Sequence, residues 1–132
     1  MKTYIAQTTR NGKGIFAGED IPKGNLIFMV ERTLKQEPYL PELYQIGERW
    51  LGVGHETWIE PPEQNPIYYT NHSCQPNASL EDRVNVIALQ QIKKDQEITF
   101  DYALTEEDPY WKMECHCGSS DCRKLIVSKA RF

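Results

Sequence analysis

Tyr69-Thr70-Asn71-His72-Ser73-Cys74-Gln75-Pro76-Asn77, taken with Phe100-Asp101-Tyr102 and the tail Cys115-His116-Cys117-Gly118-Ser119-Ser120-Asp121-Cys122, constrains this chain more than any other part of it. The tail sets three cysteines at C-x-C-x4-C spacing, and Cys74 completes the four that the protein contains. Four thiolates are the full shell of a closed structural zinc site, with zinc–sulfur bonds of about 2.3 Å. Cys74, Cys115, Cys117 and Cys122 are therefore candidate metal ligands. Cys74 lies among polar residues suited to holding a small ligand. One ion would then clamp the C-terminal tail onto a candidate site, coupling folding to site assembly.

Outward from these blocks, the bulk properties set bounds. A chain of 132 residues is one domain with a core of its own. A net charge of −4 gives no global basic field for nucleic acid. No run approaches the roughly 18 apolar residues of a membrane span, and the start Met1-Lys2-Thr3-Tyr4-Ile5 lacks the apolar core of a secretory signal. An intracellular protein, cytoplasmic or nuclear, is expected. The sequons at Asn71 and Asn77 are accidental in that compartment. Thiols there stay reduced, which favours a metal over disulfides. Cys115 and Cys117 are also too close for an unstrained mutual bridge. His116 reads as solvent-facing, because four thiols already fill the shell.

The chain reads as mostly β. Residues 4–8, 14–17, 25–31 and 84–89 are short apolar or β-branched runs separated by Gly and Pro. Ile98 to Tyr102 alternates like a half-buried strand. Ile21-Pro22-Lys23-Gly24-Asn25-Leu26-Ile27 and Ile92-Lys93-Lys94-Asp95-Gln96-Glu97-Ile98 share a turn-then-strand grammar, with Gly24 and Asp95 where a positive φ is easiest. Within residues 32–65, Pro41 to Leu51 predicts a short helix with Leu43, Ile46, Gly47 and Trp50 on one face, and Pro61-Pro62 ends any regular element. Nothing marks a linker, a low-complexity segment or a second domain.

Asn71-His72-Ser73-Cys74-Gln75-Pro76-Asn77 resembles the N-H-S-C-x-P-N block of the SET-domain protein lysine methyltransferases. Glu97-Ile98-Thr99-Phe100-Asp101-Tyr102 resembles the family's E-[LI]-T-F-D-Y block, and the cysteine tail its post-SET segment. Asn11-Gly12-Lys13-Gly14 matches the G-x-G near the domain start. The four blocks stand in the family's order over roughly residues 5 to 126. The resemblance implies a SET fold of small curved sheets, short helices and a C-terminal pseudoknot. Residues 1–106 would form the SET domain and 107–132 the zinc-binding post-SET tail, in one compact unit. True knots are rare, so periodicity alone does not reach this topology.

The resemblance also implies an activity: S-adenosylmethionine-dependent methylation of a lysine in a histone tail or another basic protein; from charge and hydropathy, no direct contact to nucleic acid or membrane is expected. Gly12, Lys13, Gly14 and Ile15 would meet the cofactor largely through backbone groups, although a G-x-G by itself is usually just a β-turn. Asn71 and His72 would hold the cofactor from the other side. Tyr102 would carry catalysis. A lysine titrates near pH 10.4 in water, and burial in an aromatic channel favours the neutral, nucleophilic amine. The Tyr102 hydroxyl would orient that amine and the methyl group, and also touch the cofactor.

Tyr69, Phe100 and Trp111 would line the lysine channel. Phe rather than Tyr at position 100 leaves room for second or third methyl groups, so di- or trimethylation is expected. Leu125 and Ile126 follow the last cysteine, where one apolar residue would pack on the adenine or simply on the tail, with Leu125 as the candidate, and Trp111 and Tyr110 would close the channel or merely anchor the tail. Tyr68-Tyr69-Thr70 stands where the family often has Arg-Phe-x, and Val30-Glu31-Arg32 lacks the common Tyr-x-Gly-Glu pattern. In the family, residues 32–65 correspond to the variable insert that walls the substrate groove. Two rivals stand beside this expectation: a catalytically silent SET-like module, and a small zinc-binding interaction domain without cofactor.

Overall fold

The computed structural model describes residues 2–9, 12–31, 34–36, 51–54, 57–60, 62, 64–82, 84–105 and 112–128. Among them are twelve short strands and very little helix. Strands β1 (Thr3–Gln7) and β2 (Lys13–Ala17) form an antiparallel hairpin with Ile5 opposite Ile15. Gly12 closes it at φ 72°, a left-handed backbone that glycine adopts without steric cost. The second edge of β2 is also used. Ile98 donates to the Ile15 carbonyl at 2.8 Å and Ala17 to that of Gln96 at 2.9 Å.

Two three-stranded sheets follow. In the first, β3 (Leu26–Met29) and β8 (Ala78–Glu81) flank β9 (Asn85–Ala88). In the second, β4 (Leu34–Gln36) and β5 (Leu51–Gly54) flank β6 (Thr57–Ile59). The predicted helix over 41–51 falls outside the described residues except for Leu51, which opens β5. β6 ends at Ile59, just ahead of the two prolines. The two turn segments that echo each other in sequence pair with each other in space. Ile21 and Ile92 exchange backbone hydrogen bonds of 2.7 and 2.8 Å, and both turns have their positive φ where expected, 86° at Gly24 and 72° at Asp95.

Isoleucine-rich strand faces converge on one core, including Ile15, Ile21, Ile27, Ile59, Ile92 and Ile98. Each such side chain contributes about 1.5–3 kcal/mol on burial. Asn65 orders the approach to the site: its side-chain oxygen Oδ1 accepts from the Ile67 amide at 3.1 Å, capping a 3-10 turn at Pro66–Tyr69. The turn delivers the chain into β7 (Asn71–His72), which pairs in parallel with β10 (Thr99–Phe100). The two sequence blocks, far apart along the chain, therefore run side by side.

The expected strand Ile98–Tyr102 is shorter than its alternation indicates. Asp101 accepts from the Ala103 amide at 3.0 Å and caps a helical turn, α1 (Tyr102–Thr105). Tyr102 thus starts a turn instead of continuing the strand. The tail folds back as a hairpin of β11 (Lys112–Glu114) and β12 (Leu125–Val127). A second apolar cluster joins it to α1 through Ala103, Cys115 and Ile126, with Cys74 and Tyr102 packed against them. No helix among the described residues is long and apolar enough to cross a membrane.

Candidate active site and metal centre

The β7–β10 pairing sets Asn71 beside Thr99 and His72 beside Phe100. Next to them lies a polar cleft of about 190 Å³ lined by Thr8, Thr9, His72, Ser73, Glu97, Thr99 and Cys117. This is smaller than a typical cavity for a whole ligand, and it suits one polar end of a larger molecule. The G-x-G glycines serve two separate needs. Gly12 supplies backbone conformation, whereas Gly14 supplies space: a Cβ there would lie 2.5 Å from Glu97 Oε2 and 2.8 Å from Thr8 Cγ2. Lys13 offers its carbonyl to Asn71 Nδ2 at 3.1 Å. Ile15 is buried in the core, and its carbonyl is taken by Ile98.

Tyr102 stands at the junction of the two blocks. Its hydroxyl donates to the Thr70 carbonyl at 2.5 Å, and its ring lies 4.9 Å from that of Phe100 and 5.3 Å from that of His72. Phe100 is buried, while Tyr69 is half-buried and edge-on to Tyr68. Trp111 lies outside the described residues. Leu125 is half-exposed on β12, and its neighbour Ile126 is the residue that packs inward.

The four cysteine sulfurs lie within 4.8 Å of one another, and Cys74 Sγ is 3.8 Å from Cys115 Sγ. Tetrahedral zinc with bonds of about 2.3 Å sets its sulfurs about 3.8 Å apart, so this donor set fits such an ion. As free thiols the cluster is electrostatically divided. Burial pushes Cys115 up to about 12. Burial also acts upward on Cys117, but hydrogen bonds from Ser119 and nearby groups outweigh it and bring that thiol down to about 5. A divalent cation lets all four be thiolates at once.

Around the sulfurs is a shell of donors. His72 Nδ1 lies 3.1 Å from the Tyr102 amide, which donates to it, so the proton of the neutral ring sits on Nε2, 3.4 Å from Cys74 Sγ. Burial is the main force keeping the ring neutral, lowering its pKa to about 4; Asp101 opposes this and Arg123 assists it. The 3.7 Å approach of His72 to Asp101 is consequently not an ion pair. Arg123 reaches Cys74 Sγ through its backbone amide at 3.4 Å and Nε at 3.3 Å, and donates to Asp101 Oδ1 at 2.8 Å. His116 is exposed and away from the cluster, as read from sequence.

A family model described as SET domain matches residues 12–103. The chain belongs to the SET domain family. This SET domain is 29% identical to Homo sapiens histone-lysine N-methyltransferase 2D over 93% of its own length, and 28% identical to Arabidopsis thaliana histone-lysine N-methyltransferase ASHH3 over 97%. It spans 2% and 39% of those proteins. In fold it resembles the crystal structure of KRYPTONITE in complex with mCHH DNA, H3(1-15) peptide and SAH, with a TM-score of 0.73 at 21% identity, covering 95% of this chain and 29% of that one.

The structure brings together Gly12, Lys13, Gly14, Asn71, His72, Phe100, Tyr102 and the four cysteines. Sequence reasoning gave no part to Glu97, Asn77, Asp101 or Arg123. Asn77 holds β10 by donating to the Glu97 carbonyl at 2.8 Å and accepting from the Thr99 amide at 2.9 Å. Its place at the end of the N-H-S-C-x-P-N block was the available signal, and adjacency to Cys122 was the signal for Arg123.

Proposed function

We propose that this SET domain methylates the side-chain amine of a lysine in a histone tail or another basic protein, using S-adenosylmethionine, and that one structural zinc ion is held by Cys74, Cys115, Cys117 and Cys122. The observation that carries the reading is the position of Tyr102, fixed by Thr70 and His72 at the meeting of the Asn71-His72 and Phe100-Asp101-Tyr102 segments. The names of the relatives, and the SAH and H3 peptide in the KRYPTONITE complex, support the cofactor and substrate class.

Gly12 to Gly14 and Asn71 would hold the cofactor, whose sulfonium supplies an activated methyl group. The chain's own part is positioning and proton control. With its proton given to Thr70, the Tyr102 phenol can accept but not donate a second time. It therefore takes an N–H from a neutral lysine amine and holds the nitrogen in line. A lysine would reach this position as the neutral amine, its proton lost to solvent, and would face the activated methyl that the cofactor supplies when bound. A phenol titrating near pH 10 is a poor base at neutral pH, so Tyr102 orients the amine and does not deprotonate it. Phe100 beside Tyr102 adds no second hydroxyl to pin the amine, which supports di- or trimethylation.

The test is incubation of zinc-replete protein with methyl-labelled S-adenosylmethionine and a panel of core histones and basic proteins, beside Tyr102→Phe. Label on one band, lowered about 100-fold or more in the variant with SAH affinity within about twofold, is expected. Labelling that survives Tyr102→Phe unchanged would remove Tyr102 from the mechanism. Cofactor binding with no turnover on any panel member would favour the silent module.

A further inference from the structure

Glu97 has no part in the chemistry above, yet it lines the cleft and binds both Asn71 and Asn77. Asn71 Nδ2 lies 2.9 Å from Glu97 Oε2 and 3.1 Å from the Lys13 carbonyl oxygen. An amide nitrogen carries two hydrogens, and neither a carboxylate nor a carbonyl can donate. The atom between these two acceptors is therefore the nitrogen, and both of its hydrogens are committed. What Asn71 has left is its oxygen, an acceptor to which no described residue donates.

Glu97 is held firmly enough to impose this orientation. Its carbonyl accepts from Asn77 at 2.8 Å, and the residue that follows it bonds to β2 through Ile98 N and the Ile15 carbonyl. The absence of a side chain at Gly14 is what admits its carboxylate, since a Cβ there would stand 2.5 Å from Oε2. Glu97 also lines the cleft itself, with His72, Ser73 and Thr99, and so joins Asn71 to it.

We propose that Glu97 is a positioning residue that fixes the Asn71 amide with its oxygen as the outward-facing acceptor, so that the cleft selects a cofactor end bearing a protonated amine. This rests on the methyltransferase reading, in which that group is the ammonium of the amino-acid end of S-adenosylmethionine. A flipped amide would present N–H instead and repel the ammonium. Glu97 acts through Asn71 and needs no contact with the reacting atoms.

The experiment is calorimetric titration of the zinc-loaded protein with SAH and with its analogue lacking the amino group, for wild type, Glu97→Ala and Glu97→Gln. A hydrogen bond to a charged group sets the expected size of the loss. Glu97→Ala should weaken SAH about tenfold or more and leave the deaminated analogue within about twofold. Glu97→Gln keeps an acceptor for Asn71 and should restore SAH binding to within about threefold of wild type. Undiminished SAH binding by Glu97→Ala, an equal loss for both ligands, or a Glu97→Gln variant as weak as Glu97→Ala each overturns the proposal. Wild-type protein that binds no SAH would overturn the cofactor reading along with it.

Discussion

His72 illustrates how much one side chain is asked to do here. It accepts from the Tyr102 amide through Nδ1 and faces Cys74 Sγ through Nε2, so it ties the tyrosine to a candidate metal ligand while remaining uncharged. The consequence for pH is direct. An unfolded histidine takes up its proton near pH 6.5, and the folded ring resists until about 4. The unfolded chain thus binds more protons through that window, so the contribution to stability is full above pH 6.5 and is lost as pH falls toward 4. Nitrogen NMR should show the Nε2–H tautomer at pH 7. Urea unfolding should lose stability over this range more steeply for wild type than for His72→Gln, which lacks the titrating ring; an equal slope would assign the acid sensitivity to the thiols alone. Phe100 makes a separate prediction. Its ring touches that of Tyr102, so Phe100→Tyr adds a hydroxyl near the amine and should shift the products toward monomethyl-lysine. A mass spectrum dominated by monomethyl product in wild type would reject the role given to Phe100.

At the scale of elements, the hairpin glycines separate two physical effects that sequence alone merges. Gly12 has a φ of 72° and open space around its missing side chain, whereas Gly14 is crowded by Glu97, Thr8 and Asn71. Gly12→Ala should cost about 1–2 kcal/mol in backbone strain and leave SAH affinity nearly intact. Gly14→Ala must push Glu97 or Thr8 aside, at about 1–3 kcal/mol for overpacking, and should weaken SAH binding as well. Thermal unfolding and calorimetry on both variants distinguish them. Strands β1, β2, β3 and β9 were legible because local alternation and glycine punctuation set them, as were the left-handed turns at Gly24 and Asp95, whereas β4 to β8, β11 and β12 were not read from the sequence. The end of β10 was overextended, because Asp101 stops the strand through a capping bond that apolar alternation does not record. The pairing of Ile21 with Ile92, and the contacts of Glu97 and Arg123, escaped notice for a different reason. Each joins residues remote in sequence, where the three-dimensional fold decides and local pattern is silent. The sequence blocks supplied candidate residues; the fold showed which atoms of Asn71 and His72 are already engaged.

For the whole molecule, the decisive question is what joins the tail to the site. Cys74 follows the Asn71-His72 strand, while the other three thiols come from the tail, so an ion at this cluster would bridge both parts of the chain. Arg123 makes a second bridge, from the same sulfur to the Asp101 carboxylate that caps the Tyr102 turn. Its guanidinium is held above its already high ordinary pKa, first by the Asp101 hydrogen bond and then by Cys74, so its charge persists at any working pH. Removing the ion should therefore affect Tyr102 as well as the tail: four thiolates without a cation cannot remain charged together, and the apolar contact of Ala103, Cys115 and Ile126 is small. Chelation at pH 7 should release one zinc per chain, expose the β11–β12 amides to hydrogen exchange, and lower SAH affinity about tenfold or more. Cys117→Ser should do the same. Arg123→Gln should keep the zinc but loosen α1, lowering turnover more than SAH affinity. Protein made under reducing conditions with zinc supplied, yet binding none, would sink the metal bridge. Unaltered exchange at β11–β12 after chelation would show that apolar packing alone holds the tail in place.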